Sequence, residues 1–249
     1  KLEGELRAVE GSRYYGSPLL YKENGFKRRE DAEKLMEELQ SALAQKQAFV
    51  RQIARKQEKK NPPLLYNLAE LQNECSRMLK ISPDETLRIV QELYEKKLTT
   101  YPRTDARVLS TAVAKEIHKN LSGLRRFGEL GNFAGEILEN GSFRNIARTR
   151  YTNDKQITDH YAIIPTGQGL GACASLSDRA KSVYRAVVRR FLSIFYPPAV
   201  YQKISLTADI GGEAFVSSCR VLLEEGYLRV AGSGRQSGQD RSEREKAGD

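Results

Sequence analysis

Two switches of hydrophobic period, one after Lys60 and one past Pro197, restrict this chain's architecture more than any composition figure does. "QAFVRQIARKQEKK", ending at Lys60, alternates as a strand does and finishes in a basic stretch, with five cations and one acid between Arg51 and Lys60. Asn61-Pro62-Pro63 then breaks the pattern and sets an extended entry into helical sequence. Past Pro197 the period returns to two: "AVYQKISLTADI" alternates, "GGE" turns a hairpin, and "AFVSSCRVLL" comes back. A stretch of period 3.6 between two stretches of period two predicts an α+β multidomain fold, with a helical middle inserted between two halves of a mixed α/β domain.

The elements follow from local signals. Residues 13–22, "RYYGSPLLYK", predict a short strand and turn. "KRREDAEKLMEELQSALA" predicts a helix with Ala32, Leu35, Met36, Leu39, Ala42 and Leu43 on one face. Leu64, Leu68, Leu71, Cys75 and Leu79 make a second helical stripe. The third helix starts at Ser82 as N-cap, with Pro83 in the first helical position and Glu85 three after the cap. Further helices are expected over 111–121 and about 128–139, then a loop-rich stretch. Next comes a helix capped by Ser177, with Ala180, Val183, Tyr184, Val187, Val188, Phe191 and Leu192 on its buried side. The expected domains are 1–61 with 175–231, the inserted 62–174, and a flexible tail over 232–249 that has almost no apolar residue.

Composition narrows the function classes. The 249 residues suffice for one large domain or two ordinary ones. Lys plus Arg number 41 against 32 Asp plus Glu, a net charge of +9 that suits a polyanionic partner. Three scattered cysteines, with no CxxC pair, argue against a zinc site or a disulfide framework and fit a reducing cytosol. Two histidines exclude a metal centre built on histidine clusters. No apolar run approaches the ~20 residues that span a bilayer. The chain begins at Lys1 without Met, which suggests a piece of something longer.

The chemistry concentrates in "QELYEKKLTTYPRTDARVL", residues 91–109, where a helix runs out. On residue types alone, Tyr101 and Arg103 admit two readings: a tyrosine packed at a helix exit beside a surface arginine, or a nucleophile beside a phosphate-binding fork. The wider string resembles the active-site signature of type IA DNA topoisomerases at Gln91, Leu93, Tyr94, Glu95, Thr99, Thr100, Tyr101, Arg103, Thr104 and Asp105. "NPPLLYNLAELQNECSRML" is similar to the segment before the family's catalytic helix. "NDKQITDHYAIIPTG" resembles the Asp-His-His-Ala-Ile-Ile-Pro-Thr motif of the topoisomerase III branch. The resemblance covers roughly residues 24–231.

That resemblance implies transient cleavage of one DNA strand through a 5′-phosphotyrosyl intermediate, with strand passage and religation that need no ATP. Tyr101 would be the nucleophile, Arg103 a stabiliser of the scissile phosphate and His160 a second phosphate contact. Thr104 and Asp105 would shape the loop, and Thr104, Arg107 and Lys155 are also expected DNA contacts. A tyrosine phenol, with an ordinary pKa near 10, needs help losing its proton, and the phosphate oxygens need cations or donors as charge shifts. The implied fold is a winged-helix-like tyrosine domain inserted into a hinge, or arch, domain. The implied setting is a bacterial cytoplasm, nucleoid-associated, with single-stranded or underwound DNA and the parent enzyme's remaining domains as partners, the chain itself being monomeric.

Two residues depart from the pattern: Tyr161 stands where the motif has its second His, and Ala106 where Ser is frequent. The family's Asp-x-Asp cluster, which holds Mg²⁺, has no counterpart in this sequence. The expectation is therefore an inactive fragment whose Mg²⁺ belongs to another domain, binding single strands without relaxing supercoils. Tyrosine recombinases need several distributed Arg and His residues, and rolling-circle relaxases a His pair. The alternative from another class is a non-catalytic helix-turn-helix DNA-binding module over 64–97.

Overall fold

The structure, a computed structural model, describes residues 3–22 and 24–232, so the tail predicted from residue 232 lies almost wholly outside the described residues. By contacts the chain forms two compact units, one comprising residues up to Lys60 together with Val200–Glu224, the other running over Asn61–Ala199 and resuming at Glu225. The architecture is mixed α/β. The sequence reading joins 175–231 to the residues before 62, whereas here the helix beginning at Asp178 packs inside the helical unit. Among the described residues, no helix is long and apolar enough to cross a membrane.

The first unit is built on a four-stranded sheet. In chain order its elements are β1 (Glu5–Leu6), β2 (Leu20–Lys22), β3 (Gly25–Phe26), α1 (Arg29–Ala44), β4 (Ala48–Lys60), β5 (Ala199–Ile210) and β6 (Glu213–Glu224). The sheet order is β1-β6-β5-β4, and β2 and β3 form a separate small hairpin. β5 and β6 pair antiparallel from Val200 opposite Glu224 to Ile210 opposite Glu213. The turn residues Gly211 (φ +61°) and Gly212 (φ +86°) both need the left-handed conformation that favours such a tight hairpin. Buried Asp209 accepts from the Gly212 N–H at 2.9 Å and is ion-paired with Arg51.

α1 forms as predicted, but its apolar face is narrower than the period suggests. Leu35 and Ala42 are buried, while Met36 and Leu43 remain in solvent. A Cβ built on Gly211 would stand 3.1 Å from the Ala42 Cβ, so the hairpin tip covers the helix along one line and leaves the stripe's margins open.

The helical unit contains α2 (Leu68–Leu79), α3 (Pro83–Glu95), α4 (Thr111–Leu124), α5 (Gly128–Asn140), α6 (Asp178–Ser193) and the single turn α7 (Leu228–Ala231). Asn67, Ser82, Ser110 and Ser177 each accept an N–H of the first turn with the side chain, which starts the helices at defined residues. Asn67 caps α2, so Leu64 lies in the extended entry ahead of the helix and not on its stripe. The core joins Ile89, Val90 and Leu93 of α3, Ile117, Leu121 and Leu124 of α4, Ala134 and Ile137 of α5, and the Val183–Leu192 face of α6.

Arg190 ties α6 to the chain that enters α2. Its guanidinium donates to the Leu64 carbonyl at 3.0 Å and to the Tyr66 hydroxyl at 3.1 Å, and lies 4.0 Å from the Tyr66 ring centroid. Burial drives the Tyr66 phenol far above its usual range, so it stays a neutral hydroxyl. Arg190→Ala strands a half-buried carbonyl and the hydroxyl of buried Tyr66 and should cost about 2–4 kcal/mol. Removing the α6 cap with Ser177→Ala should cost about 1 kcal/mol. Urea unfolding followed by circular dichroism measures both; equal losses would show that Arg190 holds nothing beyond an ordinary surface contact.

Candidate active site

The end of α3 sets the site. Lys97 adopts a left-handed conformation (φ +61°) and its N–H returns to the Tyr94 carbonyl at 2.8 Å, so the chain leaves the helix sharply and runs on extended. From Leu98 to Thr104 it lies antiparallel to His160–Thr166. The Thr166 N–H donates to the Leu98 carbonyl and the Thr100 N–H to the Ile164 carbonyl, each at 3.0 Å.

Threonine hydroxyls close the seam. Thr100 Oγ1 donates to the Ala162 carbonyl and accepts from the Ile164 N–H, each at 3.0 Å. Buried Thr104 donates to the His160 carbonyl at 2.7 Å and accepts from the Ala106 N–H at 3.1 Å. Because an extended chain alternates its side chains, Pro102, Thr104 and Ala106 are buried while Arg103 and Asp105 are exposed and Tyr101 is half-exposed. The run therefore puts a phenol, a guanidinium and a carboxylate on its outer side.

The seam brings Tyr101 against His160, their ring centroids 4.4 Å apart at an interplanar angle of 39°. Tyr94, the penultimate residue of α3, meets Tyr101 edge-on at 5.5 Å. These rings border a cleft of about 480 Å³, completed by Glu95, Lys97, Thr99, Thr100, Tyr161, Thr166 and Gln168. Burial raises the Tyr161 phenol above its usual pKa, so it faces the cleft as a neutral hydroxyl. The Thr99 hydroxyl is buried with no hydrogen-bond partner among the described residues. The glycine-rich segment behind the cleft allows close approach: Gly169 has φ +68°, and a Cβ there would stand 2.4 Å from the Lys96 carbonyl oxygen.

The site residues expected from the sequence divide. Tyr101, His160 and Thr104 come together, and Arg103 lies exposed on the Tyr101 side with no carboxylate partner among the described residues. Arg107 turns the other way: its Nε donates to the Leu65 carbonyl at 3.2 Å and its Nη1 stands 3.3 Å from Glu70. Lys155 is exposed on the 154–156 turn and is not among the cleft-lining residues. Sequence reasoning did not single out Lys97, Thr166 and Gln168 as cleft-lining, nor Thr100 as the centre of the seam. Thr100's partners lie 62 and 64 residues away, and no local pattern announces such a pairing.

The resemblance implies Mg²⁺, an ion that takes octahedral oxygen ligands and one or two carboxylates beside substrate phosphates. Glu95 is the one carboxylate lining the cleft, and among the described residues no three His, Cys, Asp or Glu side chains come together. The residues around Tyr101 do not by themselves make a magnesium site.

Thr104→Val keeps the side chain's shape, removes the hydroxyl that holds the His160 carbonyl and leaves the Ala106 N–H unpaired. The expected cost is about 1–3 kcal/mol. The His160 ring-proton resonances should also shift as the imidazole leaves the shielding of Tyr101. Unchanged shifts in the variant's NMR spectrum would mean that this hydroxyl does not position the ring.

Comparison with known proteins identifies the family. Residues 5–248 match the family model described as DNA topoisomerase. The chain is 32% identical over 205 residues to DNA topoisomerase 3 of Bacillus subtilis (strain 168), covering 82% of this chain and 28% of that protein. It is 32% identical over 238 residues to DNA topoisomerase 3 of a Bacillus cereus strain, covering 92% and 32% respectively. The full-length topoisomerase I structure from Thermotoga maritima shares the fold, with a TM-score of 0.57 at 21% identity over 88% of this chain and 34% of that one. The chain thus spans about a third of the length of the proteins it matches. A family model that takes in nearly every residue, together with these relatives, establishes that the chain belongs to the type IA DNA topoisomerases and is topoisomerase III-like.

Proposed function

We propose that this chain carries the strand-cleaving tyrosine of a type IA topoisomerase. The Tyr101 phenolic oxygen attacks a DNA phosphorus, the bond from that phosphorus to the 3′ oxygen breaks, and the 3′ hydroxyl leaves with a proton. The product is a 5′-phosphotyrosyl linkage. Because that linkage conserves the energy of the broken phosphodiester, the 3′ hydroxyl can reverse the attack without ATP. Arg103 places its planar fork on the phosphate oxygens as charge builds, and His160 supplies a second contact. Thr104 acts as the loop's anchor.

The observation that carries this reading is the stacking of half-exposed Tyr101 on His160 at a cleft rim, with Arg103 exposed on the same side and without a carboxylate partner among the described residues. Arg107 fits a structural role better than a DNA contact, since its guanidinium is already engaged. In the finer architecture we propose, the helical unit is the winged-helix-like tyrosine domain and the sheet unit belongs to the arch into which it is inserted. Mg²⁺ would be held by residues outside this chain, and the substrate is single-stranded or underwound DNA in a bacterial cytoplasm. Alone, the chain should bind single strands weakly and relax no supercoils.

The test is a trapping assay with end-labelled single-stranded DNA and Mg²⁺, quenched with SDS. It is run with the chain alone and with the chain mixed with the portion of a full-length relative that these residues do not span. A labelled covalent adduct is expected only in the mixture. It should disappear with Tyr101→Phe and fall at least about tenfold with Arg103→Lys, which keeps the charge but loses the fork. An adduct that survives Tyr101→Phe overturns the nucleophile. Sequence-specific duplex binding with no adduct would favour the helix-turn-helix module.

A further inference from the structure

The sheet unit presents two unlike faces. In the β5–β6 register Lys203 lies opposite Arg220, Ser205 opposite Ser218 and Thr207 opposite Val216, while the alternate pairs place Ile204 opposite Cys219 and Leu206 opposite Ser217. One face is thus cationic and hydroxyl-rich over its middle, and the other is mainly apolar. Tyr201 continues the cationic row two residues before Lys203 and is half-exposed. Ser218 and Arg220 are exposed, so this face is open to solvent there.

Placing Lys203 directly across from Arg220 works against the sheet, because like charges at opposed positions repel. Arg220 is partly relieved by Glu58 of β4 at 3.3 Å, whereas Lys203 has no carboxylate partner among the described residues. Neighbouring β4 carries Arg55, Lys56, Lys59 and Lys60, all exposed, against the single acid Glu58; because side chains alternate along a strand, one cation of each adjacent pair lies on this face. An arrangement that costs the isolated unit stability is relieved by a polyanion laid across it.

We infer that this face is a second single-strand DNA contact, separate from the Tyr101 cleft. Lys203 and Arg220 bind backbone phosphates, the hydroxyls of Ser205 and Ser218 donate to phosphate oxygens, and Tyr201 offers a ring on which a base stacks. It goes beyond the nucleophile assignment and stands apart from it, since Tyr101→Phe leaves this surface intact.

The experiment uses this chain and a fluorescent fifteen-residue oligothymidylate. Lys203→Glu should weaken binding about three- to tenfold at low salt and lessen the slope of log affinity against log salt by about 0.7 or more, as a lost single-strand phosphate contact does. Its thermal midpoint should hold or rise, because Glu opposite Arg220 replaces repulsion with attraction; a folding defect would lower it. Thiol labelling read by peptide mass then identifies the face. The oligonucleotide should slow maleimide reaction of the introduced thiol in the Ser218→Cys, Cys219→Ser chain and leave native Cys219, on the opposite face, reacting at its free rate. Unchanged affinity and slope in Lys203→Glu overturns the proposal. So does an affinity loss without face-selective protection, which would be a general charge effect.

Discussion

The site depends on one seam, the antiparallel contact between Leu98–Thr104 and His160–Thr166. Two short chains, each too brief to make a sheet alone, are locked in register because threonine hydroxyls supply the bonds that a regular ladder would take from neighbouring strands. A buried hydroxyl that both donates and accepts is costly to replace, since its loss leaves backbone groups unsatisfied in a dry environment. Register then decides geometry. Alternation from Tyr101 to Ala106 turns Pro102, Thr104 and Ala106 inward and leaves Tyr101, Arg103 and Asp105 outward, and pairing with residue 160 brings the imidazole onto the phenol.

The seam holds because both of its ends are fixed. On one side it follows α3, whose start is set by Ser82 and Pro83 and whose exit is set by the left-handed Lys97. On the other it runs into Gly167 and Gly169, where the backbone lies so close to Asn120 and Lys96 that a side chain would collide. The Asn120 side chain also donates to the Pro165 carbonyl at 2.9 Å, joining α4 to the same strand. Arg190 adds a third restraint, from α6 to the entry of α2, by spending a mostly buried guanidinium on a carbonyl and a hydroxyl. Where a cation is tied down in this way, as Arg190 and Arg107 are, it shapes the fold; where it has no carboxylate partner among the described residues, as with Arg103, it remains available to an anion.

Much of this was legible in order along the chain. The capped starts of α3 and α6, the Pro62-Pro63 break and the β5–β6 hairpin all follow from short-range rules, because a cap or a two-glycine turn is satisfied within a few residues. What misled was width and membership. Met36 and Leu43 continue the α1 stripe, yet too little packs there to cover them. α6 follows the loop-rich segment and precedes β5, so sequence order groups it with the strands, although its apolar face is used by α3 and α5.

At the site, the tyrosine and arginine were visible because their signature is contiguous over fifteen residues, and His160 because its own motif is. Sequence alone thus determined the order of the helices, the capped starts of α3 and α6, the candidate nucleophile and the resemblance to the family. Only the tertiary structure decided that Tyr101 stacks on His160, that Arg107 is consumed by Leu65 and Glu70, and that Lys203 faces Arg220. The physical reason is range: capping, turn and periodicity signals act over a few residues, whereas these contacts join segments that the chain brings together only once its core has formed.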